Sequence, residues 1–265
     1  ARAAANFVCG GMGAGLVVAT ALAGAPGGGL AVPLLVGLAL VACGLLSVFA
    51  EVGRPLRAAN VIRNPGSSWM SREALVAPLL FACGLAGATG RPAFAAAAAL
   101  LALAFVYCQG RMVHAARGIP AWRAPEMPWL FVATGLAEGL GLWLVLAVVL
   151  DQRSMRVVGA AIVAIIVRYV LFRRYRRGLG AGIAAGPARA LDAAGRVLLW
   201  AGTLAPLALL GLAAALAPSP WARGIVLVAG LGAALAGAWL KATIVLRAGH
   251  TQGFALPVLP VRGRA

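Results

Sequence analysis

Long apolar runs alternate with short polar breaks along the whole chain, and most breaks contain proline or glycine. Runs of about 20 apolar residues are long enough to cross the ~30 Å hydrocarbon core of a bilayer as helices. Strands of a membrane barrel would instead alternate apolar and polar residues. The pattern therefore predicts an all-α polytopic membrane protein, a bundle of eight transmembrane helices. We expect these helices at about residues 6–24, 31–50, 74–90, 93–112, 128–150, 155–172, 195–217 and 221–246.

The hydrophilic segments are too short to form a separate soluble domain. Composition agrees, because 63% of the residues are hydrophobic and only 11% are charged, whereas soluble domains carry about 25% charged residues. The first apolar run resembles a signal peptide, but it lacks a strongly charged start and seven further runs follow, so we expect a helix. One transmembrane domain is predicted over residues 1–250. The tail, residues 251–265, is broken by proline and is predicted to lie outside the membrane.

The uneven distribution of basic residues predicts an orientation. Eight spans place both termini on one side, and nineteen of the 23 Lys and Arg residues fall on that side, against four on the other. Basic residues collect in cytoplasmic loops, so the termini are predicted to be cytoplasmic, in a bacterial inner membrane. The run RRYRR at 173–177 fits contact with anionic lipid. No water-facing basic domain with stacking aromatics is apparent, so nucleic acid is not an expected partner despite the net charge of +17.

Cysteines and histidines give no metal-binding pattern. The four cysteines lie in apolar segments without CxxC spacing. His114 and His250 both fall near predicted helix ends rather than at mid-span. We therefore expect no metal ion or haem in this chain.

Glycine pairs predict tight helix contacts. Gly11 and Gly15 form a GxxxG motif, and Gly135 and Gly139 form a second. This spacing lets two membrane helices approach until their backbones touch.

Several of the few charged residues lie in one segment, EVGRPLRAANVIRNPGSSWMSRE, residues 51–73. It begins and ends with a glutamate. Carboxylates at the edge of apolar spans are costly and mark functional candidates. Glu51 can exchange protons, and Arg54 and Arg57 can donate hydrogen bonds to a bound oxygen. Glu73 has two interpretations: it belongs to the same site, or it lies in the first turn of a helix capped by Ser71.

Further polar residues in or near the spans are candidates for a surrounding shell. They are Asn6, Tyr107, Gln109, Arg111 and Glu138. Glu138 lies several residues inside a span, so it is either part of a proton path or a neutral carboxyl bonded to a neighbouring helix.

The segment 51–73 resembles the loop between helices two and three in the DMSO reductase membrane anchor family. Polysulfide and nitrite reductase membrane subunits share a related Gly-Arg-Pro-plus-Arg pattern. Residues 107–139, YCQGRMVHAARGIPAWRAPEMPWLFVATGLAEG, resemble that family's helix 4–5 region. The tail is similar to the end of anchors assigned to phenylacetyl-CoA:acceptor oxidoreductases.

The resemblance implies a three-part complex on the cytoplasmic face. A molybdopterin subunit acts on the substrate, an iron–sulfur subunit relays electrons, and the anchor binds quinone or quinol, either menaquinone or ubiquinone, without metal of its own. The family has a histidine at the Glu51 position and a glutamate at the Glu73 position, both linked to quinol binding. The histidine-to-glutamate difference at Glu51 keeps a proton-accepting group but alters the geometry.

Two other functions compete with a quinone-reactive anchor that is not itself catalytic for the organic substrate. A membrane transporter acting without redox partners would explain helices broken by glycine and proline, but it usually carries charge at mid-membrane, whereas nearly all charge here is expected at one edge. An enzyme acting on lipid would need a catalytic set such as a histidine cluster, and the two histidines are far apart in sequence.

Overall fold

Eight long apolar helices make up the described part of the chain, as the sequence predicts. The computed structural model describes residues 2–24, 29, 31–50, 60–180 and 182–249. The helices are α1 Arg2–Ala23, α2 Ala31–Phe49, α3 Trp69–Ala88, α4 Pro92–Ala115, α5 Met127–Val149, α6 Met155–Leu179, α7 Ala185–Ala215 and α8 Pro220–Arg247. All eight are long and apolar enough to cross a membrane. We call the side where α1 begins and α8 ends the terminal face.

Helix α3 begins five residues earlier than predicted, and its cap explains the difference. Ser68 has extended backbone angles and is the N-cap residue. Its hydroxyl oxygen accepts a hydrogen bond from the backbone N–H of Ser71 at 3.3 Å. The prediction that Ser71 caps this helix was therefore wrong, and Ser71 is a buried residue of the first turn.

Helices α6 and α7 extend further at the terminal face than the apolar runs indicated. The run RRYRR is helical and belongs to α6. Tyr175 is buried there, and its hydroxyl donates to the carbonyl of Ala121 at 3.0 Å. Arg176 binds both carboxylate oxygens of Asp192 on α7, at 2.7 and 3.0 Å. These polar contacts stabilise the helical structure beyond the apolar stretches.

Helices α1 and α5 are the most enclosed spans of the bundle. They cross at the two predicted GxxxG motifs. A Cβ added to Gly15 would collide with the backbone of Gly135, and one added to Gly139 would collide with the backbone of Gly15. The predicted backbone-to-backbone approach is confirmed, and it joins α1–α4 to α5–α8.

Apolar side chains fill most of the interior and also cover the outside. One apolar cluster lies among α1–α4, and two lie among the helices around α5 and α8. Large apolar residues such as Leu100, Met155 and Trp221 are more than two-thirds exposed. A surface of this kind suits lipid rather than water.

Two basic residues assigned by sequence to the terminal face lie inside the bundle. Arg168 is fully buried, and Lys241 is 1% exposed. Arg168 is near the middle of α6, and Lys241 is six residues before the end of α8. The expectation that nearly all charge lies at one edge was therefore wrong, although the bias of the remaining basic residues keeps its direction.

Candidate functional site

Glu73 is a buried carboxyl in the second turn of α3. The early start of α3 places it beyond the first turn, which contains no acidic residue, so the capping interpretation does not hold. The side chain points inward and is only 5% exposed. Its Oε1 atom has no hydrogen-bond partner among the described residues.

Two amide side chains lie beside this carboxyl and complete the Glu73 cluster, which we define as Asn6, Glu73 and Gln109. Both amides are close enough to interact with the Glu73 carboxyl. Gln109 Nε2 donates to the backbone carbonyl of Asn6 at 3.2 Å. Asn6 begins a π-helical turn, Asn6–Gly10, within α1, a local widening that is common at functional sites. Asn6 Oδ1 and Gln109 Oε1 are also buried acceptors without a partner in the described part of the chain.

An aromatic–arginine cluster lies on α3, α4 and α5, and so shares α3 and α4 with the Glu73 cluster. It consists of Trp69, Arg72, Tyr107, Arg111 and Trp129. The rings of Trp69 and Tyr107 meet edge to face at 5.8 Å, and those of Tyr107 and Trp129 are 5.3 Å apart. The guanidinium carbons of Arg72 and Arg111 lie 4.0 Å and 4.6 Å from the centre of the Trp69 ring.

Arg72 also ties the preceding loop to α3. Its Nε and Nη2 atoms donate to the carbonyls of Pro65 and Gly66 at 2.7 and 2.8 Å. The end of the charged segment 51–73 is therefore anchored at the aromatic–arginine cluster. Glu51, Arg54 and Arg57 lie outside the described residues, so their predicted roles stay predictions.

Glu138, Lys241 and Arg168 form a buried charged triad inside the bundle, with Glu138 and Arg168 near the middle of α5 and α6. Lys241 Nζ donates to Glu138 Oε2 at 2.7 Å, and both side chains are almost completely buried. Arg168 donates to the carbonyls of Ala233 and Gly202. Glu138 Oε1 and Arg168 Nη1 lie 2.9 and 3.0 Å from the position that a Cβ on Gly237 would take. Glu138 is therefore an ion-paired residue of the interior. This contact does not decide between the two predicted interpretations, a residue of a proton path or a carboxyl bonded to a neighbouring helix.

The triad approaches the Glu73 cluster at Gly11. A Cβ at this glycine would collide with Lys241 Nζ and would lie 3.5 Å from Gln109 Oε1. The absence of a side chain at Gly11 thus lets Lys241, from α8, reach the neighbourhood of Gln109, from α4. The predicted site residues that the structure describes therefore lie in three neighbouring groups. Asn6, Glu73 and Gln109 form the Glu73 cluster, and Tyr107 and Arg111 belong to the aromatic–arginine cluster. Glu138 belongs to the triad, which lies deeper in the bundle.

Sequence reasoning missed Lys241 and Arg168 as members of the site. Both had a usable signal, since Lys241 stands in AWLKATIV and Arg168 in AIIVRYVLF, each flanked by apolar residues on both sides. A cation inside an apolar run faces either the protein interior or the bilayer edge. Only the packing of α6 and α8 distinguishes these two cases.

A pocket lies at the opposite end of the bundle, between α5, α6, α7 and α8. It has a volume of about 540 Å³ and is lined mainly by apolar side chains such as Trp143 and Leu210. Asp151 and Arg223, which form an exposed ion pair at 2.6 Å, stand at its rim. This pocket is the alternative to the Glu73 cluster as a binding site.

Eight apolar spans in the described part of the chain, with a small group of buried polar side chains, define a polytopic helical membrane protein with a candidate site near one face. The sequence profile of the DMSO reductase anchor subunit family (DmsC) matches residues 29–174, more than half of the chain. The chain belongs to this family of membrane anchor subunits. The match contains Glu73, Gln109, Glu138 and Arg168, but neither Asn6 nor Lys241.

A curated relative agrees with the family assignment. The C subunit of the anaerobic dimethyl sulfoxide reductase of Haemophilus influenzae is 27% identical over 150 residues. The aligned region is 50% of this chain and 53% of that protein. The chain therefore spans about half the length of this relative.

Proposed function

We propose that this chain is the quinone-reactive membrane anchor of a molybdopterin and iron–sulfur oxidoreductase, and that the quinone head group binds beside Glu73. Membership of the anchor family supports the place in such a complex. The observation that carries the binding site is the Glu73 carboxyl, buried with an unpartnered oxygen next to two amides. A buried ionisable group in a membrane span is a functional candidate by default.

The chemistry of the cluster suits this role. Interconversion of quinol and quinone transfers two electrons and two protons, with the electrons passing to or from an iron–sulfur cluster in a partner subunit. Glu73 can take or give a proton at a quinone oxygen. The amide of Gln109 and the guanidinium of Arg111 can donate hydrogen bonds to such an oxygen. The rings of the aromatic–arginine cluster offer flat apolar surface for the head group.

Position at the terminal face supports the electron-transfer role. Glu73 lies four residues into α3, about 6 Å along the helix axis from its start. A site at this depth is within reach of a soluble subunit docked on that face. We infer that the face is cytoplasmic and that the iron–sulfur and molybdopterin subunits bind there, in a bacterial inner membrane, because basic residues concentrate on it.

Glu73→Gln tests the proposal, since it keeps the shape of the side chain and removes proton exchange. We expect quinol-coupled turnover of the purified complex to fall by about 100-fold, the usual scale for a lost acid–base group. Turnover with a soluble dye, which exchanges electrons directly with the hydrophilic subunits, should stay normal. Glu126→Gln is the matched control, because Glu126 is a carboxyl at the same face, at the start of α5. Equal quinol rates for Glu73→Gln and the wild type would refute the site.

The predicted loop residues are tested in the same assay. Glu51→Gln should slow quinol-coupled turnover and leave assembly intact, because it removes a proton acceptor at the membrane edge. Arg54→Ala should weaken quinol binding, because it removes a cationic donor. If both variants keep full quinol-coupled rates, the loop does not take part in the site.

The pocket at the opposite face supplies a specific alternative location. A photoreactive quinone analogue should label peptides of α3 or α4 rather than the pocket residues near Trp143 and Leu210. Labelling confined to that pocket would move the site to the other face.

The buried triad also favours a second function, a transporter without redox partners, since mid-membrane charge is typical of transporters. Affinity purification from the native membrane separates the two functions. An anchor should retain iron–sulfur and molybdenum subunits in fixed stoichiometry. A chain that is purified alone from mild detergent, with no metal in the preparation, would favour transport.

A further inference from the structure

The interior contains a row of polar atoms that an otherwise apolar bundle leaves without partners. Among the described residues these include Glu73 Oε1, Gln109 Oε1, Glu138 Oε1 and Arg168 Nε, together with Asn6 Oδ1. Each belongs to a side chain that is at least nine-tenths buried. An unsatisfied buried polar atom loses its hydration without a compensating hydrogen bond, so a row of five would be a large penalty for a dry interior. Buried water usually satisfies such groups.

The row runs continuously from near the terminal face to mid-membrane. Glu73 lies about 6 Å from the start of α3, and Glu138 is the twelfth of the 23 residues of α5, about 17 Å from its start. Gln109 and Lys241 each lie six residues before the ends of their helices, at intermediate depth. The atoms therefore form a sequence in depth.

The junction at Gly11 has the dimensions of a water bridge. Lys241 Nζ and Gln109 Oε1 both lie close to the position that a Cβ on Gly11 would take, so they are within about 6 Å of each other, twice the length of an ordinary hydrogen bond. Lys241 has three donor hydrogens, and its bond to Glu138 Oε2 uses one of them. A water molecule between Nζ and Oε1 would satisfy a donor and an acceptor together.

The row ends at the triad. Toward the opposite face the buried side chains next to the triad include Leu140, Trp143, Leu144 and Ile165 in one apolar cluster. Trp143 and Leu144 also line the pocket at that face. This apolar layer therefore separates Glu138 from the charged rim of the pocket, and we expect it to hinder proton movement onward.

We propose that internal water molecules join the Glu73 cluster to the Glu138–Lys241 pair, and that this water chain is a proton relay closed toward the opposite face. The inference rests on the proposed function at Glu73 and adds a second carboxyl to it. When quinol is oxidised, two O–H bonds break, two electrons leave for the partner's iron–sulfur cluster and two protons remain. Glu73 can bind one proton. The relay lets the other reach Glu138, where its stay is brief because protonation weakens the ion pair with Lys241. Both protons then leave toward the terminal face. Quinone reduction uses the same groups in reverse.

Gly11→Ala tests the relay with little risk to the fold. The added methyl group would displace only the flexible end of Lys241 and would fill the space between Nζ and Gln109 Oε1. We expect quinol-coupled turnover to fall about tenfold, below the full effect of a lost acid–base group, with normal dye-coupled turnover and unchanged quinol KM. Gly211→Ala is the matched control, because nothing lies within 4 Å of its added Cβ. If Gly11→Ala fails to assemble, Lys241→Gln serves instead, since it removes the charge and keeps hydrogen-bonding capacity.

A structural readout tests the water itself without turnover. A cryo-electron microscopy map of the purified complex that resolves water should show density bridging Lys241 Nζ and Gln109 Oε1, and further density at Glu138 Oε1. Gly11→Ala should remove the bridging density. A map without ordered density at these atoms would overturn the water chain.

The outcomes separate the relay from the proposed function. If quinol-coupled turnover is slow in the Glu73→Gln variant but normal in Gly11→Ala and Lys241→Gln, the relay is refuted and the proposed quinone site is retained. A fully active Glu73→Gln refutes both. Slow Glu73→Gln and Gly11→Ala variants with water bridging the wild-type junction support the relay.

Discussion

The charge balance of the buried triad leads to a prediction about stability whose sign can be tested. Glu138 accepts from Lys241 at 2.7 Å and faces Arg168 across Gly237, so one carboxylate separates two cations. Glu138→Gln leaves the cations facing each other. At an effective dielectric constant of about 20 and a separation of about 6–8 Å, their repulsion is about 2–3 kcal/mol. An uncompensated cation at mid-membrane costs a similar amount, about 2.5–3.5 kcal/mol.

Removing the lysine has a different effect, because Arg168 stays near Glu138 and the remaining pair is neutral. Lys241→Met should lower the free energy of unfolding by about 1.5–3 kcal/mol, the value of one hydrogen bond to a charged group. In the double variant the repulsion between cations is gone. Adding Lys241→Met to Glu138→Gln should therefore restore stability, although the same substitution destabilises the wild type.

Reversible unfolding in mixed micelles of mild detergent and dodecyl sulfate, followed by circular dichroism, measures the three variants on one scale. A restored stability of about 1.4 kcal/mol would appear as a tenfold change in the unfolding equilibrium. Thr134→Val is the control, since Thr134 is buried on α5 but bonds only its own helix, at the carbonyl of Leu130. Additive losses in the double variant, within about 0.5 kcal/mol, would refute the reasoning from charge.

Orientation, helix packing and metal content give three further predictions. A reporter protein that works only in the cytoplasm should be active when it is fused to the C-terminus. Activity of a periplasm-specific reporter at that position would refute the orientation. Gly139→Ala should destabilise the protein by about 1–3 kcal/mol, as overpacking does, because its Cβ would collide with the backbone of Gly15; unfolding in mixed micelles checks this, with Gly211→Ala as an unaffected control. Purified anchor should show no Soret band, and a band abolished by His114→Ala or His250→Ala would show haem binding.

Hydrophobic runs were sufficient to predict the eight spans, because the requirement for about 20 apolar residues acts on each helix separately. The ends were less predictable where polar contacts between helices extend them. The pairing of Arg176 with Asp192 and the bond from Tyr175 to Ala121 depend on which helices are neighbours. The start of α3 was missed because Ser68 and Ser71 are equally good caps by residue type, and only backbone geometry distinguishes them.

The polar residues of the site could be found from sequence, but the way they group could not. Glu73 and Gln109 stood out as polar groups near span ends, and they do lie together. Lys241 and Arg168 were counted with solvated loop cations because positive-inside counting uses only distance from a helix end. Their burial depends on the direction in which α6 and α8 turn these side chains, and a single helix leaves that direction undetermined.

The order in which the chain is made gives the triad a consequence for biogenesis. Helices of a membrane protein leave the ribosome in sequence, so α5 and α6 reach the bilayer before α8. Glu138 and Arg168 can neutralise each other at that stage, and the half-made bundle carries no net charge at mid-membrane. Lys241 arrives last, on a helix that must bring a cation into the lipid interior. Pairing with Glu138 lowers the cost of this cation in the membrane interior, so it favours docking of α8 on α5 as soon as α8 enters the membrane.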